Sequence, residues 1–136
     1  MRCLALDLGR KHTGVAFFDE RTGVPVPLET FHHADEVELV ERMVILASER
    51  AVDAFVIGLP FLPGGAEGEQ ARFVREIAKK LCEACPWCEL HFIDERWTSR
   101  GSGIRNRELG IRNDKHAQDA LIVLQTFLAR LKGQDS

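Results

Sequence analysis

Residues 2–18 of the chain read RCLALDLGRKHTGVAFF, two apolar runs on either side of a polar turn bounded by glycines. This pattern predicts a β-hairpin, and the unbroken first run indicates a strand buried on both faces of a sheet. Asp7 stands where that run stops, so we expect its carboxylate at the rim of the sheet. Gly9 has no Cβ, which allows a sharp turn or the close approach of a ligand. Such a carboxylate suits a magnesium ion or a metal-bound phosphate, whereas an isolated Asp at this position would only cap a turn.

The composition is typical of one globular domain. The chain has 136 residues, of which 45% are hydrophobic and 29% charged, and its formal net charge is -3. We therefore expect residues 1–136 to form a single domain, with residues 133–136 as a frayed tail. No apolar run approaches the roughly 20 residues of a membrane span. Asp7 and the Arg10-Lys11 pair also interrupt any segment that could serve as a signal peptide. These features predict a cytoplasmic protein with no membrane partner.

Strand-like and helix-like patterns alternate along the chain. The apolar periodicities predict the order βββαβαβα, with strands near 2–8, 14–19, 26–31, 54–60 and 89–95 and helices near 35–50, 67–85 and 114–132. This order predicts an α/β fold, a mixed five-stranded sheet with helices on both faces. Pro25 and Pro27 cannot donate to a strand ladder, so they place the third strand at an edge of the sheet.

Acidic residues follow two of the predicted strands. Ligands of such sheets bind at the carboxyl ends of the parallel strands, so Asp7 and Glu95 are expected at one edge. His116 and Asp119 are three residues apart, so they share one face near the start of the last helix. Apolar residues occupy the opposite face, which turns this pair towards the same edge. The sequence thus predicts one catalytic and metal-binding site composed of Asp7, Glu95, Asp119 and His116.

The composition of this predicted site favours divalent metal ions. Clustered carboxylates repel one another and stay ionised only with cations among them. Oxygen ligands point to Mg²⁺ or Mn²⁺, and His116 is compatible with manganese. Two such ions can clamp the attacking and leaving oxygens of a phosphodiester. Taken singly, each residue has an ordinary alternative, such as a solvated pair of Glu95 with Arg96 or a first-turn helix acid at Asp119.

A basic segment follows the last strand. It could bind the phosphate backbone of a nucleic acid without reading its sequence, although a solvated basic loop is the simpler alternative. The negative net charge of the chain gives no support for nucleic-acid binding. The distribution of charge does support it, because six basic residues lie between positions 96 and 115. The predicted nucleic-acid-binding residues are Lys11, Arg96, Arg100, Arg105, Arg107, Arg112 and Lys115.

Three cysteines form a C-x-x-C-x-x-C run, Cys82, Cys85 and Cys88. Thiolates at this spacing could hold zinc or an iron–sulfur cluster. Alternatively, Cys82 and Cys85 lie on the apolar side of a helix as small hydrophobic residues. The sequence leaves the role of these cysteines open.

Four short motifs in order carry a resemblance to one family. Residues 7–16, DLGRKHTGVA, resemble D-x-G-x-K-R-I-G-V-A, and IGLP at 57–60 with GAEG at 65–68 resembles V-G-L-P followed by G-T-E-G. DERWTS at 94–99 resembles D-E-R-x-T-T, and the Leu-Gln pair at 124–125 resembles I-L-Q. This is the pattern of the YqgF/RuvX family, described as Holliday junction resolvases and as pre-16S rRNA nucleases. The resemblance implies a ribonuclease H-like fold.

One departure from the family pattern concerns the last helix. The family has Asp where His116 stands, whereas KHAQDAL at 115–121 is more similar to the D/H-x-x-D-A-L of the RuvC resolvases. Which of His116 and Asp119 is the main metal ligand of this helix therefore stays open. The segment from 98 to 114 is also shorter than the corresponding family segment, which leaves the choice of substrate open.

The resemblance implies a divalent-metal-dependent nuclease for structured nucleic acid. Its substrate would be an rRNA precursor, cleaved in 5′-end processing of pre-16S rRNA, or branched or single-stranded DNA such as a Holliday junction. A non-catalytic nucleic-acid-binding scaffold is one alternative, and an actin-like phosphate-binding domain is another. RNA or DNA as substrate, exo- or endonuclease action, and a monomer or homodimer are left undecided.

Overall fold

The structure, a computed structural model, describes residues 1–95 and 115–134. The predicted order of strands and helices is confirmed. The strands are β1 (Arg2–Asp7), β2 (His12–Asp19), β3 (Val26–His32), β4 (Ala54–Leu59) and β5 (Glu89–Asp94). The helices of the described part are α1 (Glu36–Glu49), α2 (Glu69–Ala84) and α3 (Lys115–Gln134). None of these helices is long and apolar enough to cross a membrane.

The five strands form one mixed sheet in the order β3-β2-β1-β4-β5. β1 pairs antiparallel with β2 and parallel with β4, and β4 pairs parallel with β5. β1 is the central strand, and its four middle residues, Cys3 to Leu6, are fully buried, which confirms the prediction of a strand buried on both faces. β3 lies at the edge, as Pro25 and Pro27 predict. The carboxyl ends of β1, β4 and β5 therefore reach the same side of the sheet.

Helices cover both faces of the sheet. Because side chains alternate across a strand, Leu4 and Leu6 pack under α1 and α2, whereas Cys3 and Ala5 pack under α3. α1 is capped by Asp35, whose carboxylate accepts a hydrogen bond from the Glu38 amide at 2.9 Å.

The last helix ends at Gln134, two residues beyond the predicted end near Lys132. Leu128 and Leu131, near its end, pack against the apolar cluster beneath α3. Such packing of an apolar face is the main source of helix stability in a folded protein. The frayed tail at 133–136 stays a prediction.

The cysteines behave as small hydrophobic residues. Cys85 is buried beneath α2, and the Cys88 thiol donates a hydrogen bond to the Val52 carbonyl at 3.2 Å. Burial raises the pKa of Cys85, and it raises the pKa of Cys88 to about 11. Burial therefore favours the neutral thiol form of both side chains. Within residues 1–95 and 115–134, no three His, Cys, Asp or Glu side chains are grouped so as to hold a metal ion.

Candidate active site

A pocket of about 280 Å³ lies at the carboxyl edge of the sheet. Its walls come from the ends of β1 and β4, the residue that follows β5, and the first turn of α3. The structure brings the four predicted catalytic residues together here, since Asp7, Glu95, His116 and Asp119 all line this pocket. Asp7 and Glu95 come from distant parts of the chain, and His116 and Asp119 come together from the first turns of α3, so the folded sheet is what brings the four side chains to one place.

Asp7 is held at the end of the central strand of the sheet. It ends β1, pairs with Gly14 of β2, and directly follows Leu6, which pairs with Ile57 of β4. The Asp7 side chain is 16% exposed, and its Oδ2 lies 3.9 Å from Nδ1 of His116. A carboxylate fixed by strands on both sides can meet a cation or a substrate without being ordered first.

The last helix reaches Asp7 because Gly14 has no side chain. A Cβ placed on Gly14 would lie 1.8 Å from the His116 carbonyl oxygen and 2.7 Å from the Ala117 nitrogen. The backbone of the first turn of α3 therefore rests directly on β2, opposite Asp7. Ala117 is buried in this contact, which leaves His116 and Asp119 to line the pocket.

Glu95 is turned across β4 towards the pocket. A Cβ on Gly58 would lie 2.7 Å from Oε1 of Glu95 and 3.0 Å from a methyl group of Val123. The missing side chain at Gly58 therefore leaves the space in which the Glu95 carboxylate lies. The absence of a side chain at Gly58 thus makes room for the Glu95 carboxylate, just as its absence at Gly14 makes room for the first turn of α3.

Two of the predicted nucleic-acid-binding residues lie within the described part of the chain. Lys115 lines the pocket at the start of α3, and Lys11 is exposed in the turn between β1 and β2. The other predicted contacts, Arg96, Arg100, Arg105, Arg107 and Arg112, lie outside the described residues.

Sequence reasoning missed a group of histidines beside the pocket. His12 lines the pocket, and its ring centroid is 5.6 Å from that of His116. Nε2 of His33 lies 2.9 Å from the Thr13 hydroxyl, and burial lowers the pKa of His33. His12 lies inside the opening motif and could have been noted from the sequence. That His33 lies beside β2 follows only from the pairing of β2 with β3.

Gln70 is a second residue that sequence reasoning missed. Its amide nitrogen donates to the Leu8 carbonyl at 3.1 Å, which ties the start of α2 to the chain just after Asp7. The contact spans 62 positions, so no local pattern signals it.

The donor atoms of the pocket suit a hard divalent cation. Three carboxylates provide the oxygen ligands that Mg²⁺ prefers, and the imidazole nitrogen of His116 is also compatible with Mn²⁺. In the described arrangement no three of these groups surround a single point.

The sequence matches a known family along nearly its whole length. A family model described as "RuvX: Holliday junction resolvase" matches residues 1–130. A protein of Porphyromonas gingivalis is 36% identical over 134 residues, covering 93% of this chain and 95% of that protein. A protein of Sulfurihydrogenibium sp. is also 36% identical, covering 96% of this chain and 91% of its own length. Both are named "Putative pre-16S rRNA nuclease".

Solved structures resemble this fold at low sequence identity. RuvC of T. thermophilus, solved in complex with Holliday junction substrate, aligns with a TM-score of 0.66 at 15% identity, covering 96% of each chain. The fowlpox virus Holliday junction resolvase aligns with a TM-score of 0.56 at 13% identity, covering 96% of this chain and 99% of that one. These likenesses bear on the fold, and they confirm the expected ribonuclease H-like architecture.

Proposed function

The chain belongs to the RuvX family, described as Holliday junction resolvases, and on that premise we propose that it is a nuclease acting through the pocket around Asp7. It hydrolyses phosphodiester bonds of structured nucleic acid, within one domain. The observation that supports this most is the meeting of Asp7, Glu95 and Asp119 with His116 in one pocket. Carboxylates gathered at a sheet edge are suited to hydrolysis assisted by divalent cations.

The proposed cofactors are two Mg²⁺ or Mn²⁺ ions. Asp7 would be the ligand common to both, with Glu95 and Asp119 on either side and His116 as an outer ligand or proton carrier. The proposal is supported by the placement of all four side chains along the wall of one pocket. When bound, the ions would stabilise the charge on the attacking and leaving oxygens of the phosphodiester.

The protein groups themselves bind and orient the substrate. Lys115 places a positive charge at the pocket, and the positive end of the α3 dipole lies beside it. Both features favour a phosphate group next to Asp7. We propose that Lys11 and the arginines at 96, 100, 105, 107 and 112 extend this attraction along the strand, through contacts that do not depend on base sequence.

The proposed substrate is a ribosomal RNA precursor. The two relatives at 36% identity carry the name of pre-16S rRNA nucleases, whereas the description of the family names Holliday junctions. The relatives' name favours pre-16S rRNA over branched DNA. We propose cleavage at the 5′ end of this precursor, in the cytoplasm, by a monomer or a homodimer. Branched DNA is the competing substrate.

The test is a side-by-side cleavage assay with the purified protein. One reaction contains a pre-16S rRNA fragment and the other a four-way DNA junction, each with Mn²⁺ and with Mg²⁺. We expect metal-dependent cleavage of the RNA by the wild-type chain and none by Asp7→Asn, which controls for contaminating nucleases. Cleavage of the junction alone would reassign the substrate. Binding of both nucleic acids without cleavage would favour the scaffold alternative.

A second set of variants separates the two residues of the last helix. We expect Asp119→Asn to be nearly as damaging to cleavage as the loss of Asp7, because it removes a proposed metal ligand. His116→Ala should lose less activity than Asp119→Asn. His116→Asp adds a hard oxygen ligand, so it should retain activity and shift the metal preference from Mn²⁺ towards Mg²⁺.

The measurement is the cleavage rate as a function of the concentration of each metal. Glu83→Gln, an exposed carboxylate on α2, is the control for charge removal away from the pocket. A silent Asp119→Asn together with an inactive His116→Ala would reverse the assignment of the two residues.

A further inference from the structure

His12 and His32 form a close pair at the surface beside the pocket. His12 begins β2, His32 ends β3, and the two residues are directly opposite each other in the antiparallel ladder. Their Nδ1 atoms lie 2.6 Å apart, with ring centroids at 4.5 Å and ring planes at 84°. Both side chains are exposed. Two ring nitrogens are therefore held close together where solvent can reach them.

The backbone on both sides of this pair is fixed by hydrogen bonds. The His33 amide donates to the Lys11 carbonyl at 3.0 Å, and the Thr13 hydroxyl lies 2.9 Å from Nε2 of the buried His33. The guanidinium of Arg42 donates to the His32 carbonyl at 3.2 Å. The two imidazoles thus project from strands whose relative position is set, which lowers the entropic cost of closing a chelate.

We propose that His12 and His32 together bind a divalent transition-metal ion through their Nδ1 atoms. Without an ion, two nitrogens at 2.6 Å can coexist only when one N–H donates to the lone pair of the other. An ion takes the place of that shared proton. Two metal–nitrogen bonds of about 2.0–2.1 Å at a tetrahedral angle separate the nitrogens by roughly 3.3 Å, a small displacement for two exposed side chains.

The ligand type distinguishes this site from the carboxylate site in the pocket. Imidazole nitrogen selects Zn²⁺, Co²⁺, Ni²⁺ or Cu²⁺, whereas carboxylate oxygen selects Mg²⁺ and Mn²⁺. Among the described residues no third His, Cys, Asp or Glu completes the coordination, so water would occupy the other positions. The site is close to the pocket because His12 contacts His116, whose Nδ1 lies 3.9 Å from Asp7.

The experiment measures Co²⁺ binding by equilibrium dialysis, with visible absorption spectra to report the ligand type. Asp7→Asn serves as the background, since it removes the shared ligand of the carboxylate site. We expect this variant to bind one Co²⁺ with the weak visible bands of nitrogen and oxygen ligands. Adding His32→Gln, or separately His12→Gln, should weaken that binding at least about tenfold, whereas adding His91→Gln on β5 should leave it unchanged.

Three outcomes would overturn the proposal. These are no binding in the Asp7→Asn background, binding that survives both His32→Gln and His12→Gln, and the strong near-ultraviolet absorption of thiolate ligation, which would place the ion on the cysteines. Thermal melting of each variant verifies that it is folded. None of these readouts depends on nuclease activity, so a negative result leaves the proposed function untouched.

Discussion

The Asp7→Asn variant is expected to lose cleavage by about 10³-fold or more while keeping its fold. The substitution removes the carboxylate that both proposed metal ions share, and with it the main electrostatic group of the site. Asparagine has nearly the same shape, so the end of β1 keeps its pairing with Gly14. The melting temperature should equal or exceed that of the wild type, because one of several mutually repelling carboxylates is gone.

The measurement combines cleavage rates at saturating Mn²⁺ with thermal melting of the same preparations. Glu83→Gln removes an exposed carboxylate of α2 and should leave both quantities unchanged. A wild-type cleavage rate in Asp7→Asn would remove Asp7 from the site. A lost rate accompanied by a large fall in melting temperature would instead show that Asp7 has a structural role.

Gly14→Ala is expected to damage stability and activity together. The new Cβ would overlap the backbone of the first turn of α3, 1.8 Å from the His116 carbonyl oxygen, and backbone cannot move aside as a flexible side chain can. We expect a loss of about 2–3 kcal/mol of unfolding free energy, roughly 6–12 °C in melting temperature. The displaced helix carries His116 and Asp119 away from Asp7, which should reduce cleavage by about 10²-fold.

Gly64→Ala is the matched control, because a Cβ at Gly64 meets nothing within 4 Å. It should change the unfolding free energy by less than about 0.5 kcal/mol and leave cleavage unaltered. Thermal melting and cleavage rates of the two variants are compared side by side. If Gly14→Ala melts and cleaves like Gly64→Ala, the first turn of α3 does not rest on β2 as described.

The sheet could be predicted because each of its determinants is local. The unbroken run from Cys3 to Leu6 identified a strand buried on both faces, and Pro25 and Pro27 identified the edge. The expectation that Asp7 and Glu95 share an edge needed only the parallel alignment of their strands. These inferences depend on residue type and spacing, which are read directly from the sequence.

The contacts across the pocket could not be predicted in the same way. Periodicity reports which face of an element is apolar, but not which atom of another element it meets. A glycine in a strand indicates that another backbone segment approaches closely, but the sequence around Gly14 does not predict that this segment is the one at His116. The pairing of His12 with His32 depends likewise on the register between β2 and β3, which is a property of the assembled sheet.

The docking of α3 onto β2 also has a consequence for synthesis of the chain. The ribosome makes Asp7 before Asp119, and strands β2 to β5 lie between them. A nascent chain that stops short of Asp119 therefore carries an incomplete proposed site. Under the proposed function, cleavage requires that synthesis has passed Asp119 and that the first turn of α3 has packed against Gly14.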